Sequence, residues 1–253
     1  MSHHVIAICQ EKGGVGKTTT TLCLARAAST EGLRTLVVDL DPQGDLSDAF
    51  GIAPDASGMA DVLDGQRSLT DVLVPSGWAG VDVAPAGERL DSVEVDMLSL
   101  GGERRVADAL ATLSEAYDVV LLDTRPSTGR LTLGGLVAAT TALIVTNPHR
   151  LAAKALGPAQ ETLDLVRSHA NPGLRLGGVL VNHLARKDTL VSRNYRIEIG
   201  GLGLPLLEPD IPFTTAVATV SATGVGLDEL GREDLHRFYV KHLHTLMAQE
   251  DAA

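Results

Sequence analysis

The chain has 253 residues, 44% of them hydrophobic and 21% charged, with a formal net charge of -11. A wholly α/β chain of this length buries a sizeable core and is read as one domain over 1–253. The acidic balance excludes a domain-wide basic surface for nucleic acid, and no apolar run approaches the roughly 18 residues that cross a bilayer, so the expectation is a cytoplasmic protein with no membrane partner.

The start, MSHHVIAICQ, has neither a basic leader nor a long apolar stretch, and no secretory signal is expected. A first strand is predicted at 5–9 (VIAIC), then a helix over 17–31 punctuated by Gly32. Further apolar strands are predicted at 35–40 (TLVVDL), 81–86 (VDVAPA), 118–123 (DVVLLD), 142–146 (ALIVT) and 176–182 (LGGVLVN). Helices are predicted at 103–115, 151–168, 188–199 and 228–248, and 51–80 reads as a loop-rich insertion with short helical turns. Short, fully apolar strands alternating with helices predict an α/β fold: a doubly wound, mostly parallel sheet with helices on both faces. The two cysteines, Cys9 in a strand and Cys23 in a helix, belong to no CxxC or Cys/His cluster and read as buried thiols.

Between the first strand and the first helix lies EKGGVGKTTT. Such a turn directs backbone N–H groups and a helix N-terminus at phosphate oxygens, and Gly13, Gly14 and Gly16, with Val15 between them, let the backbone approach closely. Lys17 supplies a point charge to the β/γ oxygens, Thr18 offers a hydroxyl to Mg2+, and Thr19 continues the loop into the helix. The second strand ends in DLDPQGDLS, which puts Asp39, Asp41 and Asp45 at the carboxyl edge of the sheet, where ligands bind in doubly wound folds. The strand DVVLLD delivers Asp123 to the same edge, as a carboxylate for the magnesium shell through water. The inventory suits phosphoryl transfer from ATP, which needs positioning and charge neutralisation and no covalent nucleophile.

The ordinary phosphate-loop pattern, GxxxxGK followed by Ser or Thr, would place glycine at position 11, where Glu11 stands, and Lys12 precedes the paired glycines. These residues resemble the deviant Walker A motif of the ParA/MinD superfamily, which also contains the nitrogenase iron protein. The resemblance extends through TLVVDLDPQGDLS, VDVAPAGERL, YDVVLLDTRPS and the late strand ending at Asn182, and so covers nearly the whole chain. It implies that Lys12 reaches across a nucleotide-sandwich homodimer to the partner's phosphates. Asp41 would then orient the attacking water, and Asp45 would contact the metal through water. By the same resemblance Asn182 and the backbone near Pro212 contact adenine, although Asn182 also reads as a cap on its own strand. Asp39 reads as a brace for the phosphate loop. The segment TRPS differs from the usual TPPS at Arg125, which either alters a switch region or points into solvent.

Within the superfamily the chain looks most like a small ParA/Soj partition ATPase. That resemblance implies slow ATP hydrolysis stimulated by a ParB-type centromere-binding partner, non-specific DNA binding, segregation of plasmid or chromosomal DNA, and association with the nucleoid. Such proteins place arginines after the last strand, whereas IPFTTAVATVSATG has no basic residue. Arg186, Lys187, Arg193 and Arg196 are the remaining candidates for phosphate contacts, and a solvated helix face would look the same. One alternative is a ParA-like scaffold that positions a protein cargo. Another is a membrane-associated MinD-type ATPase using the terminal helix, whose Leu235, Phe238, Tyr239, Leu243 and Leu246 share one face ahead of an acidic QEDAA. An iron–sulfur reductase is excluded by the placement of Cys9 and Cys23.

Overall fold

Strands that are apolar on both faces are stable only when both faces are covered, and every residue of the second, fifth and sixth strands is buried. The computed structural model describes residues 4–54, 56–99, 101–113, 116–148, 154–182 and 190–248. Among these, the strands are β1 His4–Cys9, β2 Thr35–Leu40, β3 Val74–Pro75, β4 Val81–Ala84, β5 Val119–Thr124, β6 Thr141–Thr146 and β7 Arg175–Val181. They form one sheet in the order β3-β4-β2-β5-β1-β6-β7, parallel except for the short antiparallel edge pair β3–β4. In register, Ile8 and Asp39 both lie beside Asp123, so β1, β2 and β5 end level with one another. The phosphate loop and the acidic residues therefore emerge at one edge.

The helices are α1 Lys17–Thr30, α2 Asp45–Ala49, α3 Met59–Leu63, α4 Leu90–Asp96, α5 Arg105–Ala111, α6 Arg130–Ala138, α7 Leu156–His169, α8 Leu190–Gly201, α9 Thr215–Thr223 and α10 Glu233–Ala248. Alternate strand residues separate into two cores. Ile6 and Ile8 pack with Leu22 and Leu24 of α1 and with Tyr239 and Leu243 of α10. Val5, Ala7, Leu36 and Val38 pack on the other face with Leu131 and Leu136 of α6 and Leu163 of α7.

Several elements differ from the sequence expectation. Helix α6 was not expected, because Gly134 and Gly135 in RLTLGGLVA disfavour a helix. Its helical form is set by packing: a Cβ at Gly134 would lie 3.1 Å from Val106 Cγ2, and one at Gly135 would lie 3.2 Å from Leu40 Cδ1. Helices α2, α4 and α9 were likewise unexpected. The β-branched sequence of α9, TAVATVSAT, is held by Thr214, whose hydroxyl accepts the Ala216 N–H, and ends at Gly224 with φ 64°. Helix α10 begins at Glu233 rather than near 228.

The apolar face of α10 is core. Leu235, Tyr239, Leu243 and Leu246 are buried against α1 and the sheet, so this stripe is not presented to a membrane. No helix among the described residues is long and apolar enough to cross a bilayer. Cys9 and Cys23 are buried on opposite faces, where burial pushes both thiols up to about 12. Because α1 carries the phosphate loop and anchors α10, replacing the fully buried Leu24 with alanine is predicted to cost about 2–5 kcal/mol, read as a lower urea midpoint at unchanged m-value.

Candidate functional site

The loop from Glu11 to Gly16 turns through two left-handed glycines, Gly14 at φ 71° and Gly16 at φ 94°, and delivers the chain into α1. Thr20 N–H is the first to close on the loop, donating to Gly16 O at 2.9 Å. The preceding N–H groups of the first turn have no helical acceptor, and α1 has no acidic residue there to occupy its positive end. A cleft of about 540 Å³ opens in front of them. Gly13, Gly14, Gly16, Lys17, Thr18 and Thr19 line one side, Asp41, Gln43, Asp45 and Asp48 another, and Pro126 and Ser221 close it.

Lys17 lines the cleft and interacts electrostatically with Asp123, which is buried. Lys17 is 6% exposed, and burial lowers its pKa while the charges of Asp123 and Asp41 oppose that shift. Asp123 is 1% exposed, and its pKa rises to about 7. Burial is the main cause and the Asp39 charge adds to it, against hydrogen bonds from Thr18 and Thr21 and the charge of Lys17. Thr21 Oγ1 donates to Asp123 Oδ1 at 3.1 Å, whereas Asp123 Oδ2 is buried without a partner among the described residues. A buried carboxylate oxygen left over beside a threonine hydroxyl is an all-oxygen donor set of the kind that Mg2+ prefers, directly or through water. The residues present fit that ion.

Asp39 is a brace, but of its own loop. Its Oδ1 accepts the Asp41 N–H at 3.1 Å, and its Oδ2 accepts the Ser47 N–H at 3.0 Å and the Ser47 hydroxyl at 2.7 Å. Among the described residues these hydrogen bonds go to Asp41 and Ser47 and not to the phosphate loop. This brace aims Asp41, itself half-buried, into the cleft, with Asp45 exposed at the start of α2. Burial pushes Asp39 up to about 6 despite these donors.

Asn182 ends β7 beneath the phosphate loop. Its Nδ2 donates to Val15 O at 2.9 Å and lies 3.4 Å from Thr20 Oγ1, and its Oδ1 is buried without a partner among the described residues. A parallel bridge joins Asn182 to Ile211, which brings Pro212, exposed, to the same end of the sheet. Of the two expected base-side residues, Asn182 touches the phosphate loop directly.

Arg186 and Lys187 lie outside the described residues. Arg196 is engaged by two carboxylates, Nε to Asp210 at 2.6 Å and Nη2 to Glu208. Arg193 is exposed on α8. Arg125 does not point into solvent, because it pairs with Glu94 of α4.

Sequence reasoning missed Ser221, Pro126 and Thr21. Ser221 shares a hydroxyl–hydroxyl hydrogen bond with Thr19 across 202 positions, and nothing local in TAVATVSAT signals it.

A family model described as an AAA domain matches residues 3–176. The Soj sporulation initiation inhibitor protein of Bacillus subtilis is 33% identical over 74% of this chain and 75% of its own length. The chromosome partitioning protein ParA of Caulobacter vibrioides is 33% identical over 78% of this chain and 76% of its own length. Among solved structures, cobyrinic acid a,c-diamide synthase from Mycobacterium smegmatis with bound ADP and magnesium superposes with a TM-score of 0.80 at 34% identity, covering 87% of this chain and 90% of that one.

The buried carboxylate sets a pH dependence. Asp39 has a folded pKa raised to about 6 from 3.8, so the unfolded chain releases its proton first as pH rises. Its contribution to stability therefore falls between about pH 4 and 6 and is constant above that. Asp39→Asn is predicted to lower overall stability, since its NH2 would face the Ser47 donors, and to make the fall of urea midpoints with rising pH shallower, the remaining slope coming from Asp123, whose carboxyl is raised to about 7.

Proposed function

Because this chain belongs to the ParA/MinD family of deviant Walker A ATPases, we propose that it is a magnesium-dependent ATPase in which ATP closes two protomers into a sandwich and hydrolysis reopens them. The observation that carries this reading is Lys12. It is half-buried next to the phosphate cleft, and its ammonium has no partner among the described residues, as suits a lysine that completes the site of a second copy.

Within one protomer, Lys17 and the N–H groups of Gly13 to Thr19 hold the phosphates, and Thr18 with Asp123 holds the metal, Asp123 through water. Asp45 stands in its outer shell. Magnesium, when bound, would supply charge neutralisation to the phosphates. Asp41, held by the Asp39 brace, orients the attacking water. The base lies toward Asn182 and Pro212, where Asn182 Oδ1 is the acceptor still unfilled. ADP and magnesium in the Mycobacterium smegmatis relative support the choice of nucleotide and ion.

We read the switch as a positioning ATPase of the ParA kind, with the whole chain as its one ATPase unit. Partition of DNA with a ParB-type partner is the second reading, favoured by the name of the Caulobacter relative. The charge pattern favours a protein cargo: Arg196 is neutralised by Asp210 and Glu208, and α9 carries no basic residue.

Lys12→Ala is predicted to abolish ATP-dependent dimerisation on a sizing column while leaving the monomer folded, and an unaffected dimer would remove the role in trans. Asp41→Ala should keep the dimer and slow turnover by about 10²-fold or more. In a mobility shift with non-specific duplex, a complex that forms only with ATP and weakens in Arg193→Ala supports partition of DNA. No shift at low salt, with or without ATP, leaves the protein cargo.

A further inference from the structure

The segment that follows Asp123 is tied to α4 through one carboxylate. The Arg125 guanidinium pairs with Glu94 Oε2, and Glu94 Oε1 accepts the Leu131 N–H at 3.2 Å in the first turn of α6. Both partners are largely withdrawn from water, with side-chain exposures of 15% for Glu94 and 33% for Arg125. The N-cap of α6, Gly129, makes no side-chain cap of its own, so Glu94 serves as that cap from another helix and places a negative charge at the helix N-terminus. A Cβ at position 129 would lie 2.2 Å from Glu94 Oε1, so a side chain there would displace that carboxylate. Arg125 O in turn accepts the Ser127 N–H at 2.9 Å and the Thr132 hydroxyl at 3.3 Å. Pro126, between these anchors, lines the phosphate cleft, 3.8 Å from where a Cβ of Gly13 would stand.

We propose that Arg125 and Glu94 are positioning residues, whose ion pair fixes the loop from Thr124 to Leu131 so that Pro126 stays against the phosphate loop and the segment leaving Asp123 keeps one conformation. This rests on the reading of the cleft as an ATP site. Neither residue lines the cleft, so phosphate affinity, which α1 and Lys17 supply, is unaffected by them. Loop geometry governs the alignment of the reacting groups, and there small displacements carry large rate effects. Removing either partner leaves the other charge poorly solvated and frees the loop to seek water.

The test compares wild type with Glu94→Gln, Arg125→Gln, Arg125→Lys and the Glu94→Gln/Arg125→Gln double variant. Two readings are taken: steady-state hydrolysis of Mg-ATP, and amide hydrogen exchange of residues 125–131 without nucleotide. Each glutamine variant should lose about tenfold in kcat with KM for ATP within about twofold, the double should be no worse than the singles, and Arg125→Lys should stay within about threefold of wild type. Exchange in 125–131 should quicken by about tenfold in the glutamine variants and stay near wild type in Arg125→Lys. Unchanged exchange in both glutamine variants, losses that multiply in the double, or a rise in KM at constant kcat would overturn the positioning role. A wild-type protein without Mg-dependent hydrolysis would instead sink the ATPase reading, and the exchange data would still decide the ion pair.

Discussion

Lys17 and Asp123 are both taken out of water at the edge where β1, β2 and β5 end, and neither charge is fully matched by the other. Burial pulls Lys17 down and pushes Asp123 up to about 7, so each charge carries a desolvation penalty in the folded site. A phosphate chain and a divalent cation have the charges and the coordination needs to relieve both penalties together. Thr21 holds one oxygen of Asp123 in place, while the register that sets Asp39 beside Asp123 adds a second buried carboxylate and raises the cost of its charge.

Around that centre the chain builds rigidity from distant segments. Asn182, at the end of β7, grips the phosphate loop from below through Val15 O. Ser221 on α9 bonds Thr19, and Glu94 on α4 ties the segment after Asp123 to α6. Each brace joins the site to a different element, so a change in the cleft has defined routes outward. Lys12 is the exception, a charge beside the cleft without a bond of its own among the described residues.

The parts of the molecule written in local pattern were legible in the sequence. Apolar strands pointed to the sheet class, and Lys17, Thr18 and Asp41, which line the cleft, were found from their spacing because glycine turns and strand-end carboxylates are local features. Helices α6 and α9 were not legible, since their glycines and β-branched residues oppose helix formation and only packing overrides that preference. Arg125 was visible as a departure from a motif, but its partner is 31 residues upstream in a helix whose sequence says nothing of it. The ion pairs of Arg196 were illegible for the same reason, since Asp210 and Glu208 lie beyond its own helix and only the fold brings them to it.

The most direct measurement is a crystal structure with magnesium and a non-hydrolysable ATP analogue. The account predicts the phosphates along Gly13 to Thr19, the metal beside Thr18 with Asp123 in its shell, the base next to Asn182, and the partner protomer's copy of Lys12 on the γ-phosphate. A nucleotide bound as a monomer with Lys12 turned to solvent, or bound away from this cleft, would contradict it.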